Sequence, residues 1–326
     1  MSETQTKPQG SIPASYDPGL TQKYTGVLSR IITKDGKFNV RRAGRRSWKD
    51  ANPYLFLIST SWWRFWAMVV LTFVLINLTF AGLYLTMERN GIGHIKGAEA
   101  KTTALELLNV FFFSTHTLTT VGYGNMYPDG PTANFIAAAE ALVGLMGFAI
   151  ATGLLFGRFS QPSVRFGFSP TMAIAPYKEN TSLQFRVVNR RSNNLIEVEA
   201  RVMLMTVESE NGRSTRKYTL LELERNDILF LALTWTVVHP IDAKSPLYGK
   251  IAEDLKKLQA EVVISLKGFD ETFGQIVYSR YSYRYDEITW GVKFTSAFDI
   301  DEAGDLLLWI DKVGLTEPAP LPENVS

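Results

Sequence analysis

Six consecutive residues, Thr119-Thr120-Val121-Gly122-Tyr123-Gly124, hold the most distinctive chemistry in this chain. They contain no acid, base or strong nucleophile. What they offer is oxygen: a row of backbone carbonyls, with the Thr120 hydroxyl at the inner end. A cation that leaves water must exchange its hydration shell for other oxygens. A row of carbonyls supplies them if successive C=O groups turn to one side. Such a backbone visits positive φ, which Gly122 and Gly124 tolerate. A T-V-G-Y-G loop is the potassium-selective form of this device, and four copies close one ring of ligands. One chain carries one copy, so the motif implies four chains, with K+ as the permeant ligand and no cofactor.

The elements that must position this loop are legible on either side. Residues 65–87 (FWAMVVLTFVLINLTFAGLYLTM) run 23 residues without a charge. At about 1.5 Å per residue they reach roughly 34 Å as a helix, enough for a hydrocarbon core of about 30 Å. Residues 133–157 form a second such run with one charge, Glu140. Between them, 104–118 (ALELLNVFFFSTHTL) is apolar but too short to cross, and Thr102 or Thr103 can cap it as a helix. A short helix followed by irregular backbone is tolerated at membrane depth only where protein or water surrounds it. A stretch of 64 residues, polar over most of its length, precedes the first run, so a signal peptide is not expected.

Charge sets the expected orientation. Residues 1–64 hold 11 Lys/Arg against 4 Asp/Glu, whereas 88–103 hold 3 against 2. The basic flank places the N-terminus in the cytoplasm, and two spans return the C-terminus there, as in a plasma (inner) membrane protein. Residues 166–326 carry 18 Lys/Arg and 23 Asp/Glu. This half reads as all-β. In 195–204, Ile196, Val198, Ala200, Val202 and Leu204 alternate with Glu197, Glu199, Arg201 and Met203. Further strands are expected at 183–188, 229–238, 261–266, 275–283 and 288–294, with turn signals at Asn211-Gly212, Ser245-Pro246 and Lys267-Gly268. About 150 residues of short strands suit an antiparallel sandwich. The ends, 1–25 and 315–326, read as mobile.

Other classes fall away. Net charge is +2 and cysteine is absent, which gives no argument for nucleic acid and removes thiol chemistry and Cys-based zinc sites. There is no Walker loop or serine elbow, so an enzyme is not expected. A poorly selective cation channel and a membrane-anchored β domain used for binding are the competing readings.

Beyond the filter, Phe185-Arg186-Val187-Val188-Asn189 precedes Leu195-Ile196-Glu197, and Val238-His239-Pro240-Ile241-Asp242 precedes Ser245-Pro246-Leu247-Tyr248. Asp286-Glu287-Ile288-Thr289-Trp290-Gly291 follows. With these motifs the chain resembles the inward-rectifier potassium (Kir) channels, of the prokaryotic branch, over about residues 45–315. The resemblance implies a homotetramer with a two-span pore-loop domain and an immunoglobulin-like cytoplasmic sandwich. The corresponding segments are an N-terminal segment 1–47, a slide helix 48–60, a pore domain 61–158, a β domain 166–315 and a tail 316–326. Within the pore domain lie an outer helix 61–87, a pore helix 104–117, a filter 119–124 and an inner helix 131–158.

The same resemblance assigns roles. Thr120, Val121, Gly122, Tyr123 and Gly124 bind the ion, and His116 and Asn125 support the filter where the family commonly has an acid or amide in the short helix. Phe156 is the inner gate, with Phe148 two turns above it. Gly144 and Gly153 are hinges of the inner helix, and Gly268 and Phe269 lie in a second constriction, the G-loop, at 267–270. Strong rectifiers carry acids in the pore. Here Phe148 and Lys267 stand at two such positions and only Glu197, with Asp227, remains acidic, so block by Mg2+ or polyamines is expected to be weak and Ba2+ to block at the filter. Arg45, Arg46, Lys49, Arg64, Arg158 and Arg165 are the basic residues expected at an anionic lipid surface.

Overall fold

The computed structural model describes residues 17–24, 26, 30–34, 36–41, 43–44, 52–161, 165–210 and 213–322. The chain divides into two compact units, residues 44–161 and residues 1–43 with 162–326.

The first unit is helical. α1 (Pro53–Ser59) starts on Asn52, whose side chain accepts from the Leu55 N–H, with Pro53 in the first turn. Proline suits that position because its missing N–H has no helical partner there. The expected slide-helix residues 48–51 lie outside the described residues, as do Arg45 and Arg46. α2 (Trp62–Arg89) and α4 (Pro131–Phe159) are long and apolar enough to cross a membrane. Between them lie β1 (His94–Lys96), α3 (Thr103–Leu118) and β2 (Tyr127–Asp129), with β1 and β2 paired antiparallel. Thr102 caps α3 by accepting from the Leu105 N–H. Ala81, Tyr84, Met87, Val110, Phe113 and Ala133 bury a core shared by α2, α3 and α4.

The second unit is a β-sandwich. Its strands are β3 (Phe166–Phe168), β4 (Met172–Tyr177), β5 (Asn180–Asn189), β6 (Leu195–Glu210), β7 (Arg213–Leu221), β8 (Asp227–Phe230) and β9 (Thr234–Ile241). After the short α5 (Ala252–Lys257) come β10 (Glu261–Asp270), β11 (Gln275–Arg284), β12 (Ile288–Trp290), β13 (Val292–Phe294), β14 (Phe298–Ile300), β15 (Leu306–Leu308) and β16 (Thr316–Pro318). One sheet runs β11-β10-β6-β7 with β8 also on β6; the other runs β12-β4-β5-β3 with β9 also on β5. Ile174, Leu183, Phe185 and Val187 of one sheet and Val198, Ala200, Val202, Ile264 and Leu266 of the other share one core.

Several strand expectations are corrected. The run 229–238 is two strands, β8 and β9, which lie in different sheets. The alternation in 195–204 breaks at Glu197, whose φ is +50°. That left-handed residue makes a bulge against β10, where the register shifts between Lys267 and Phe269. An extra residue in one strand flips the side-chain phase. Leu195 therefore enters the core in place of Ile196. Met203, assigned to the polar face, is also buried: with Met205, Tyr218 and Val263 it packs under Ile31 and Ile32 on the sheet's other side. Lys267-Gly268 is no turn but the interior of β10. The turn at Asn211-Gly212 lies outside the described residues. The C-terminal stretch is not loose throughout, since β16 pairs with β13.

His239 sits in β9 at 4% exposure, with Nδ1 2.6 Å from the Glu222 carbonyl and Nε2 2.8 Å from Ser245 Oγ. Burial holds its pKa below the ordinary value of 6.5. The neutral ring is the folded form, so the stability it contributes is complete above about pH 6.5. That stability falls as acid charges the unfolded histidine, down to the lowered folded pKa. Thermal unfolding of the β signal between about pH 5 and 7.5 should show this loss, and His239→Gln should flatten it. An unchanged slope in the variant would assign the pH dependence to other groups.

Candidate functional site: the filter loop and its supports

α3 ends at Leu118 and the chain turns directly into the loop 119–124, with the Thr120 and Val121 N–H groups donating back to the Thr117 and His116 carbonyls at 3.1 and 2.8 Å. The carbonyl end of a helix carries partial negative charge, which favours a nearby cation. In the filter, φ is +60° at Thr120, +57° at Gly122 and +81° at Gly124, whereas Val121 and Tyr123 are not in the left-handed region. Regular alternation of handedness turns successive carbonyls to one side, where an ordinary strand points them alternately to two. The glycines reach this conformation freely. Thr120 does not: a β-branched residue at positive φ is a conformational outlier of the kind that clusters at functional sites. Residue type points to positive φ at the glycines alone, so the left-handed Thr120 is not legible in the sequence.

The two residues expected to support this loop meet it differently. The His116 ring meets the Tyr123 ring edge-on at 4.9 Å between centroids. Asn125 is exposed and meets the chain through its backbone, since a Cβ on Gly97 would lie 2.4 Å from the Asn125 carbonyl oxygen. A buried polar cluster lies behind α3. Glu140 of α4 is fully buried and accepts from Tyr84 Oη of α2 at 2.6 Å. It also hydrogen-bonds Ser114 of α3, whose Oγ is 3.0 Å from Asn77 Oδ1 of α2. Four buried polar side chains thus join all three helices. The available signal was Glu140 itself, the one charged residue in an apolar run.

On α4, Gly144 and Gly153 differ. A Cβ on Gly144 would lie 2.0 Å from the Leu118 carbonyl oxygen, while one on Gly153 would meet nothing within 4 Å. Phe148 and Phe156 are 75% and 73% exposed in the single chain, on a helix continuous from Pro131 to Phe159.

Arg158 departs from its expected place at a lipid surface. It is 9% exposed; its Nη atoms donate to the Leu57 and Thr60 carbonyls at 2.6 and 2.8 Å, and its guanidinium stacks on Trp62 and Phe65. It ties the end of the inner helix to the orphan carbonyls of α1. Arg158→Lys loses the fork and the stacking. It should cost about 2 kcal/mol, read as unfolding of the purified protein in detergent. Equal stability would show that the cap carries no weight. Arg64 and Arg165 are exposed, and Lys49 lies outside the described residues.

In the β unit, Gly268 and Phe269 are not in a loop. They are strand residues of β10, paired with Val277 and Ile276 of β11. The turn is 271–274, closed by buried Asp270, whose Oδ1 accepts from the Thr272 and Phe273 N–H groups. Lys267 lies 4.0 Å from Glu199, which also pairs with Arg201 at 2.8 Å. Glu199, not singled out by the sequence, is the register partner of Asp227, while Glu197 occupies the bulge.

Residues 166–323 match the family profile described as inward rectifier potassium channel C-terminal domain, and residues 69–161 match the ion channel profile. The chain is 35% identical over 272 residues to the inward rectifier potassium channel Kirbac3.1 of Paramagnetospirillum magnetotacticum, across 82% of this chain and 89% of that protein. It belongs to the inward-rectifier potassium channel family. The likeness extends to animal Kir channels: G protein-activated inward rectifier potassium channel 3 of Mus musculus is 28% identical over 314 residues, 89% of this chain and 78% of that one. Channel 1 of that group from Gallus gallus is 27% identical over 301 residues, 85% and 60%. The two-span pore unit and the all-β unit are the architecture of a Kir potassium channel, and the protein is a membrane channel, not an enzyme.

Proposed function

We propose that four copies of this chain form one potassium-selective pore, with the carbonyls of Thr120, Val121, Gly122, Tyr123 and Gly124 as the ion ligands. The observation that carries this reading is the alternation of left-handed φ at 120, 122 and 124. His116 supports the filter through Tyr123, and Asn125 through its backbone. The inner constriction is the ring of Phe156, with Phe148 above it; a ring of large apolar side chains closes a pore by dewetting. The second constriction moves from Gly268 and Phe269 to the turn 271–274 that follows them. Both termini face the cytoplasm of a plasma membrane, on the charge bias of residues 1–64. Anionic lipid acts through Arg64 and Arg165, with Arg45, Arg46 and Lys49. Arg158 is left out of that set because its guanidinium is spent inside the chain. Rectification by Mg2+ or polyamines is weak, because Phe148 is uncharged and Lys267 offsets Glu199, leaving Glu197 and Asp227.

Rubidium flux into liposomes holding the purified protein tests the reading. Flux that barium blocks and that excludes sodium is the expected result. Equal entry of sodium would replace it with a poorly selective channel, and a monomeric mass in detergent would remove the four-chain ring.

A further inference from the structure

The hydrogen-bond network behind the filter carries an inference that rests on the channel reading and deepens it. Ser114 Oγ lies within hydrogen-bonding reach of three acceptors: Glu140 Oε1, Asn77 Oδ1 at 3.0 Å and the Asn77 carbonyl at 3.3 Å. A serine hydroxyl has one hydrogen to give. Asn77 cannot supply another by exchanging its amide N and O, because its Nδ2 already donates to the Phe73 carbonyl at 2.8 Å, a group that only accepts. Tyr84 Oη spends its hydrogen on Glu140 Oε2. The Asn77 carbonyl already accepts inside the helical ladder of α2; with an ionised Glu140, either Glu140 Oε1 or Asn77 Oδ1 is left without a hydrogen, and leaving a buried polar group unpaired is costly. No ion pair among the described residues involves Glu140.

One extra hydrogen on Glu140 Oε1 completes the count. We propose that Glu140 is a positioning residue of the filter, working as a hydrogen-bond donor. Its carboxyl O–H donates to Ser114 Oγ, Ser114 donates to Asn77 Oδ1, Asn77 donates to the Phe73 carbonyl, and Tyr84 donates to Glu140 Oε2. This one-directional chain fastens the inner helix, the pore helix and the outer helix to each other. Ser114 lies in the last turns of α3, two residues before His116, whose carbonyl holds the Val121 N–H. The chain therefore fixes the angle at which the pore helix delivers the filter.

The donor role singles out one tolerated substitution. Glu140→Gln can reproduce every bond, its amide N–H replacing the carboxyl O–H toward Ser114 and its carbonyl accepting from Tyr84. Glu140→Ala cannot. In liposomes, the Gln variant should keep rubidium-over-sodium selectivity within about threefold of the parent, while the Ala variant should lose about tenfold or more, the scale of one unsatisfied buried partner. Should Glu140→Ala not assemble, Ser114→Ala cuts the same chain with a smaller change. A Gln variant as impaired as Ala would overturn the proposal, and so would an Ala variant with parental selectivity. A second readout does not depend on conduction. The infrared difference between parent and Glu140→Gln protein should contain the C=O stretch of a protonated carboxyl; a carboxylate pair in its place would overturn the donor role. A parent protein that shows the acid band but admits sodium as readily as rubidium would remove the potassium-selective reading and leave the hydrogen-bond chain standing.

Discussion

Gly122→Ala should abolish barium-sensitive rubidium flux. Gly122 sits at φ +57°, where an added Cβ is strained whatever the space around it. The left-handed conformation costs an L-residue about 1–2 kcal/mol. In a ring of four chains that becomes about 4–8 kcal/mol, comparable with the whole stability of a domain. The filter would relax to negative φ at residue 122 and turn a carbonyl away from the pore axis. Since about 1.4 kcal/mol is a tenfold change in rate, a loss of more than about 100-fold is expected. The check is flux in liposomes beside the parent, with assembly confirmed by mass in detergent. An alanine variant that conducts and selects normally would mean that the left-handed alternation is not what places the ligands.

The second large effect separates two glycines that the sequence could only group. Gly144→Ala puts a methyl group 2.0 Å from the Leu118 carbonyl oxygen at the end of the pore helix. Neither partner is a flexible side-chain tip, so one helix must move. Overpacking of this kind costs about 1–3 kcal/mol per site, and the displacement falls directly under the filter. Flux should drop sharply or lose selectivity. Gly153→Ala meets nothing within 4 Å of the chain and replaces a helix-interior glycine. It should stabilise the helix by about 0.5–1 kcal/mol and leave selectivity intact. If bending at these glycines opens the pore, the outcome differs: Gly153→Ala would cut open probability even though it clashes with nothing. Single-channel recording of the two variants, with thermal unfolding in detergent, tells close packing from hinge.

The supports of the filter show why its sequence signature was only part of the site. The proposed ligands are local: five adjacent residues, of which the two glycines announce their backbone by type alone. Their anchors are not. Asn77, Tyr84, Ser114 and Glu140 are spread over more than sixty residues and three helices, and no periodicity links them. Glu140 alone was conspicuous, as a charge in an apolar run. Arg158 shows the reverse. Its position after a span suggested a lipid headgroup, but the nearby carbonyls of Leu57 and Thr60, orphaned at the end of α1, take its hydrogens.

By itself, the sequence determined the two membrane-crossing lengths, the filter, the β character of the C-terminal half and the family motifs. The first three follow from short-range physics, namely the apolar length a bilayer demands, the φ range of glycine and the twofold alternation of a half-buried strand, whereas the motifs speak only through resemblance. The tertiary structure alone decided which polar groups meet behind the filter, which glycine touches backbone, and that 229–238 divides between two sheets. It also decided that Glu197 takes a left-handed φ and moves the core face from Ile196 to Leu195. These depend on packing between elements distant in the chain, where the requirement to fill space and satisfy every buried hydrogen bond overrides local preference.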